Sequence, residues 1–396
     1  MRLPKLLVGL HFAFFSGVFA LCAQRTDSTV RLKLLFAGDI MGHGPQITAA
    51  TLEKDKLFDY TPCFQHIAPL LQEADLAVGN LELTLPGKPP YTGYPTFRSP
   101  DELALALRRA GFDLLVTANN HSNDSGLNGL LKTIQTVQGY GFYQTGTFAD
   151  TLNRQALYPL IVYKDPFKLA FLNYTYGTNG IPTPKPAIVN LIDEKTMQED
   201  LRVARKMQAD FVIVVVHWGN EYQLAESPQQ MDLAKKLFEW GADLVVGAHP
   251  HVIQPVKEVA YKRPGQDSTL GLVAFSLGNF ISAQKQAHTD MGLVFEATLE
   301  KRLADQTTYI ADHAYTPVFR YIHRDSTGKS QYYVIPARAL EEGAPPFPLP
   351  VPEATKLHVR QSVAALRKRL GRYVGKERAE LPSNTGSAES RDPQNK

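Results

Sequence analysis

Cysteine is almost absent from this sequence, since 396 residues include only Cys22 and Cys63. Two cysteines supply neither the disulfide framework of a small secreted scaffold nor a zinc site built from thiolates. The excess of one sign of charge is also small, because the sequence has 42 Lys and Arg and 39 Asp and Glu, which gives a net charge of +3. So small an excess gives no reason to expect nucleic acid as a partner. The content of 44% hydrophobic and 20% charged residues excludes collagenous, coiled-coil and wholly disordered proteins.

A long apolar run lies near the N-terminus. The run, Leu6 to Leu21, follows two basic residues and ends close to the small residue Ala23. This order predicts a signal peptide over residues 1–23 and an exported protein of the periplasm or cell envelope that begins at Gln24. One alternative is an uncleaved membrane anchor, although the run is short for a membrane span. The other is a lipid on Cys22, although a leucine stands where a small residue should precede it.

Apolar runs alternate with polar loops and amphipathic segments through the first two thirds of the chain. This alternation predicts an α/β core of strands and helices. The predicted strands are 31–37, 75–78, 113–117, 211–216 and 243–246, and the predicted helices are 101–110, 126–139, 194–208 and 228–240.

Other segments predict antiparallel strands and a C-terminal extension. Hairpins are expected at 157–174 and 252–275, because turn residues separate two apolar runs in each. Residues 290–345 predict a β-rich extension packed on the core. A proline linker leads into an amphipathic helix at 352–373, and the polar residues 375–396 predict a disordered tail.

Residues capable of metal binding or proton transfer follow the predicted strands. In α/β sheets, ligands gather at the carboxyl ends of the strands. Carboxylates, an amide and three imidazoles at one edge suit a borderline divalent metal, namely Mn, Fe or Zn. The strongest local signal is a pair of histidines two residues apart around a proline. Asp124 is a candidate N-cap for the helix that follows. The residues concerned are Asp39, Glu82, Asn120, His121, His217, His249 and His251.

Seven segments carry a family resemblance when taken in order. They are FAGDIMGHG (36–44), GNLELTLPG (79–87), FRSPDEL (97–103), ANNHSNDSGLNGL (118–130), VVVHWGNEY (214–222), GADLVVGAHPHVIQPV (241–256) and FSLGNFIS (275–282). With them the chain resembles the CapA family of capsule and poly-γ-glutamate biosynthesis proteins, which share the calcineurin-like metallophosphatase fold. The resemblance implies a four-layer α/β/β/α sandwich over residues 31–285. It does not cover the segment after Met291, where the C-terminal β appendage and the terminal helix are expected from the sequence pattern alone.

The resemblance also implies roles for the site residues. One metal position would use Asp39, Glu82 and His251, while the other would use Glu82, Asn120, His217 and His249. His121 would be the catalytic proton donor. Met41 stands where the family has a histidine ligand, so we expect one tightly held ion and a second, weakly held one. His43 is a candidate replacement.

Two function classes follow from this resemblance. One is a metal-dependent hydrolase of an anionic substrate, acting on a phosphoester or a γ-glutamyl bond. The other is a non-catalytic envelope subunit that binds or hands over an anionic polymer, with membrane polymer-synthesis proteins as partners. Arg98 and the loop residues Asn179 and Lys185 are candidate substrate contacts.

Overall fold

The computed structural model describes residues 28–52, 57–263, 265, 267–344, 347–370 and 376–378. The predicted signal peptide and Cys22 lie outside these residues, as does the predicted disordered tail apart from residues 376–378. Among the described residues, no helix has the length and apolar character needed to cross a membrane.

Strands and helices alternate along the described chain. The strands are β1 (Thr29–Ile40), β2 (Thr51–Leu52), β3 (Leu57–Phe58), β4 (Leu76–Leu81), β5 (Leu114–Val116), β6 (Tyr143–Thr145), β7 (Thr147–Phe148), β8 (Leu160–Lys164), β9 (Phe167–Thr175), β10 (Ile188–Val189), β11 (Phe211–His217), β12 (Leu244–Ala248), β13 (Val256–Tyr261), β14 (Thr269–Ala274), β15 (Asn279–Ile281), β16 (Met291–Arg302), β17 (Thr308–Arg324), β18 (Ser330–Pro336) and β19 (Lys376–Glu377). The helices are α1 (Gly44–Ala50), α2 (Thr61–Phe64), α3 (Ala68–Gln72), α4 (Glu102–Ala110), α5 (Gly126–Gly139), α6 (Thr151–Leu157), α7 (Glu194–Lys206), α8 (Pro228–Trp240) and α9 (Glu353–Leu370), with a 3₁₀ turn at Ala337–Leu340.

Two large sheets form the centre of the molecule. The first has the order β18-β17-β16-β1-β4-β5-β6, with β15 beside β1 and β19 beside β17. The second has the order β13-β14-β12-β11-β9-β8. Strands β1, β4, β5 and β6 run parallel, as do β9, β11, β12 and β14. The carboxyl ends of these parallel strands therefore share one edge in each sheet.

Side chains alternate between the two faces of each sheet and so divide the core into layers. Leu34 and Phe36 of β1 belong to the same buried apolar cluster as Phe171 and Ile213 of the second sheet, which forms the central layer. The outer face of the first sheet is covered by α2, α3 and α4, while α7 and α8 cover the second. The predicted α/β/β/α sandwich is confirmed.

The C-terminal β segment is hydrogen bonded into the first sheet itself, whereas an extension packed on the core was expected. Strand β16 pairs antiparallel with β1 from Ala37↔Val294 to Thr29↔Arg302. The terminal helix α9 buries Val359, Val363 and Leu366 in the central apolar cluster. This segment therefore completes the core around β1.

Glycine is required where β1 passes β15. A β-carbon on Gly38 would lie 1.8 Å from the carbonyl oxygen of Gly278. The next residue, Asp39, donates its backbone N–H to that same oxygen at 2.9 Å. The absence of a side chain at Gly38 thus fixes the position of the Asp39 carboxylate.

Candidate metal centre

Five loops bring the predicted ligands together at the carboxyl edges of the two sheets. Each side chain is at most 5% exposed, and each follows or ends a parallel strand. Asp39 lies near the end of β1, Glu82 directly follows β4, and His217 ends β11. The other loops follow β5 and β12 and supply Asn120, His121, His249 and His251.

Asp39 connects these loops through hydrogen bonds. Its carboxylate accepts the side-chain N–H of Asn80 at 2.9 Å. It also lies 3.3 Å from the backbone nitrogen of His249 and 3.0 Å from Nδ1 of His251. One carboxylate from the first sheet thus orients the histidine loop of the second.

Glu82 is the least satisfied group in the site. Its side chain is fully buried, and neither carboxylate oxygen has a hydrogen-bond partner among the described residues. Oε1 lies 3.6 Å from Nε2 of His217 and 3.7 Å from Nε2 of His251. Burial, together with the adjacent Asp39 carboxylate, raises the pKa of Glu82 well above its usual range. A buried carboxylate between two imidazoles is the arrangement that a divalent cation would satisfy.

Two overlapping groups have ligand atoms close enough to share an ion. Glu82 joins His249 and His251 in one group, and Asp39 and His217 in the other, with all ligand atoms of a group within 4.8 Å. Carboxylate oxygens and imidazole nitrogens are ligands for Zn, Mn and Fe. The donor set therefore fits a divalent metal.

The imidazoles are held in the neutral form that binds metals. Burial, reinforced by the neighbouring His249, lowers the pKa of His217 well below its ordinary value. Burial and the neighbouring His251 lower the pKa of His249 to about 3. His217 Nε2 lies 2.7 Å from Oδ1 of Asn120, and Nδ1 of His249 has no hydrogen-bond partner among the described residues. Nδ1 of His249 is thus available to an ion at neutral pH, whereas Nε2 of His217 donates its hydrogen to the Asn120 oxygen in this structure.

The position of the family's missing histidine is apolar. Met41 is 1% exposed and packs in the cluster between the first sheet and its helices. His43 is half-buried, with Nδ1 3.2 Å from Oε1 of Gln46 and 3.3 Å from the backbone nitrogen of Ala283. Because Nδ1 faces this backbone donor and His43 is in neither ligand group, the described contacts do not place it as a ligand.

His121 sits beside the ligand cluster in a fixed orientation. Its Nδ1 lies 2.7 Å from Oδ2 of Asp124, and its ring meets that of Phe97 at a centroid distance of 4.5 Å. Its Nε2 lies 3.4 Å from Nδ2 of Asn179. The same Asp124 oxygen accepts the backbone N–H of Phe97 at 2.6 Å. The expectation that Asp124 caps α5 is wrong, since its carboxylate holds the imidazole and this backbone N–H instead.

The three predicted substrate contacts are placed differently. Asn179 lies in the site, because its Oδ1 accepts a hydrogen bond from Asn120 at 3.2 Å. The Nε of Arg98 donates to the carbonyl of Pro90 at 3.1 Å. Lys185 is exposed and has no hydrogen bond or ion pair among the described residues. The structure therefore joins Asn179 alone of the three to the ligand cluster.

Sequence reasoning missed three residues that the structure adds to the site. Asn80 bridges Asp39 and Nδ1 of His217, which lies 3.2 Å from the Asn80 amide. Tyr176 packs its ring 4.6 Å from that of His249. Glu221 places Oε1 3.9 Å from Nε2 of His251. A carboxylate four residues after the strand-end histidine, in the segment HWGNE, was the available signal for Glu221.

The two-sheet sandwich and its cluster of carboxylates and imidazoles define a metallophosphatase-like α/β protein. The profile of the family described as bacterial capsule synthesis protein PGA_cap matches residues 33–284, and the chain belongs to this family.

Individual relatives agree with this assignment. The chain is 31% identical over 265 residues to the capsule biosynthesis protein CapA of Bacillus anthracis, covering 63% of this chain and 59% of that protein. It is 26% identical over 333 residues to the PGA biosynthesis protein CapA of Bacillus subtilis (strain 168), covering 78% of this chain and 79% of that protein.

Similarity to solved structures is more distant. The calcineurin-like phosphoesterase YfkN from Bacillus subtilis aligns with a TM-score of 0.44 and 16% identity, over 86% of this chain and 99% of that one. The Haemophilus influenzae NAD nucleotidase NadN aligns with a TM-score of 0.46 and 12% identity, over 85% of this chain and 63% of that one.

Proposed function

We propose that this protein is an exported, metal-dependent hydrolase of capsule or poly-γ-glutamate biosynthesis that acts on a phosphoester or a γ-glutamyl bond of an anionic substrate. The observation that carries the proposal is Glu82, a fully buried carboxylate without hydrogen-bond partners that lies less than 4 Å from the Nε2 atoms of two histidines. An unpaired buried carboxylate destabilises the fold, so its presence is not explained by a structural role without a metal. The pathway is proposed from the two relatives, a capsule biosynthesis protein and a PGA biosynthesis protein.

The cofactor would be Mn, Fe or Zn, with one ion held tightly and a second held weakly. Glu82, Asn120, His217 and His249 would hold the tight ion, since this set contains two imidazoles. Asp39, Glu82 and His251 would hold the weaker one. When bound, a divalent cation supplies Lewis-acid chemistry at the scissile group.

His121 would deliver the proton to the leaving group. Asp124 accepts the Nδ1 hydrogen in this arrangement, and Nε2, which lies beside the Asn179 side chain, would carry the second hydrogen of the imidazolium form and release it to the leaving group. Phe97 packs against the imidazole ring and limits its rotation. Asn179 lies within hydrogen-bonding reach of both Asn120 and His121, so it is suited to contact the substrate near the transferred proton. General acid catalysis of this kind requires an oriented donor beside the scissile bond.

The first test combines metal content with hydrolysis. We expect the purified protein to contain at least one divalent ion by elemental analysis and to hydrolyse an aryl phosphoester or a γ-glutamyl anilide. The variant His249→Ala should lose both the tight ion and the activity. His358→Ala is the control, because this histidine is half-exposed on α9 and pairs with Asp290. A His249→Ala protein that retained its ion and its rate would refute the assignment.

The alternative function is a non-catalytic envelope subunit that binds an anionic polymer or passes it to membrane polymer-synthesis proteins. Met41 favours this alternative, because the methionine removes a nitrogen ligand from one metal position and packs in the apolar cluster instead. A protein that binds the ion, hydrolyses none of these substrates and retains poly-γ-glutamate on a column would support the subunit role.

A further inference from the structure

Glu221 lies beside His251, a predicted ligand of the metal position that lacks a histidine at Met41. Its Oε1 is 3.9 Å from Nε2 of His251, and the same nitrogen is 3.7 Å from Oε1 of Glu82. Ligand atoms around one ion, with bonds of about 2.1 Å, lie roughly 3 to 4 Å from one another. Each of the two carboxylate oxygens thus has the spacing from the His251 nitrogen that two ligands of a single ion would have.

Backbone contacts hold Glu221 at this place. The next residue, Tyr222, donates its backbone N–H to the carbonyl of Pro250 at 2.8 Å. Gln254 donates its side-chain N–H to the carbonyls of Gln223 and Ala225 at 2.9 and 3.0 Å. The part of the loop that directly follows Glu221 is therefore bound to the segment that carries His251.

We propose that Glu221 is a metal ligand that replaces the missing histidine, so that Asp39, Glu82, His251 and Glu221 form the second position. This inference rests on the metal-dependent part of the proposed function. Glu82 is the independent observation behind it, since its carboxylate is fully buried without a hydrogen-bond partner and lies beside His251.

The exchange of a histidine for a glutamate changes the metal preference of this position. Three carboxylates and one imidazole form an oxygen-rich set, which favours Mn²⁺ or Mg²⁺. The other position combines His217 and His249 with the amide of Asn120 and keeps a stronger preference for Zn²⁺ or Fe²⁺. Glu221 is 43% exposed, so this ligand is reached by water and the second ion exchanges more readily than the first.

The test is a Mn²⁺ titration of the metal-free full chain, with free Mn²⁺ followed by electron paramagnetic resonance. We expect two sites of unequal affinity in the parent protein. Glu221→Gln keeps the shape of the side chain and removes its charge, and it should weaken the second site at least about tenfold while the first is unchanged. Glu239→Gln is the matched control, because this glutamate is 35% exposed on α8 and pairs with Lys235; it should leave both sites intact.

Each other outcome counts against Glu221 as a ligand. Unchanged affinities in Glu221→Gln, a single site in the parent protein, or loss of both sites with an unaltered circular dichroism spectrum would overturn the proposal. Because the titration measures ions alone, it is independent of hydrolysis. A protein without hydrolytic activity whose second Mn²⁺ site is weakened by Glu221→Gln would contradict the proposed enzyme and still support the role of Glu221.

Discussion

Replacing His121 by alanine should separate proton delivery from metal binding. The imidazole is 5% exposed and fixed by Asp124 at 2.7 Å and by the ring of Phe97. It belongs to neither group of metal-ligand atoms. His121→Ala therefore removes the proton donor while the side chains that would bind the ions stay in place.

The size of the effect follows from the chemistry of the leaving group. A positioned general acid contributes about 10² to 10⁴ in rate, or roughly 3 to 5 kcal/mol of transition-state stabilisation. An alkyl phosphoester, whose leaving oxygen needs a proton, should show this full loss. An aryl ester with a nitrophenolate leaving group should lose far less, because that anion departs without a proton.

The effect on stability should be smaller than the effect on rate. Asp124 loses one partner in the variant but keeps the backbone N–H of Phe97 at 2.6 Å. A buried carboxylate that loses one hydrogen bond costs about 1 to 3 kcal/mol. Thermal unfolding of the variant should therefore remain a single cooperative transition at a lower temperature.

The assay compares kcat on the two esters for the parent, His121→Ala and the control His358→Ala, with metal content measured on the same samples. Equal losses on both esters would mean that His121 acts before proton transfer, for example by binding substrate. Loss of the ion would make His121 a ligand, and unchanged rates on both esters would exclude it as the acid.

Three further predictions concern the rest of the molecule. Protein recovered from the envelope fraction should begin at or near Gln24, and a mass spectrum showing intact Met1 or a lipid-modified N-terminus would contradict cleavage there. Burial raises the pKa of Cys63 to about 12. In the chain lacking residues 1–23, a thiol reagent at pH 8 should therefore react only after unfolding. Rapid reaction of the native protein would show that the Cys63 side chain is accessible to solvent. Gly38→Ala should reduce the free energy of unfolding by about 3 kcal/mol or more, because the new β-carbon would lie 1.8 Å from a carbonyl oxygen. Gly44→Ala is the control, because a β-carbon there would have no neighbouring atom within 4 Å, and it should change the free energy of unfolding by at most about 0.5 kcal/mol. Denaturant titrations measure both values.

The sequence by itself determined the local elements. The predicted helices at 101–110 and 126–139 correspond to α4 and α5, and the turn residues at 164–166 correctly indicated the hairpin of β8 and β9. These features depend on the periodicity of apolar residues and on turn residues that are close together in the sequence. They can therefore be read without knowing how the segments pack. The loops that supply the candidate ligands were identified in the same way, since each follows an apolar strand.

Tertiary structure decided what the separate loops do together. The antiparallel pairing of β16 with β1 made the C-terminal segment part of the first sheet, and no local pattern specifies such a partner. Asp124 was a candidate helix cap by its spacing, yet its carboxylate contacts His121 and accepts the backbone N–H of Phe97 from another loop. Glu221 reaches His251 because β11 and β12 are neighbours and Tyr222 bonds to Pro250 between them. Sheet order and loop docking are set by burial over the whole core, so a contact between distant loops becomes visible only after the strands are assembled.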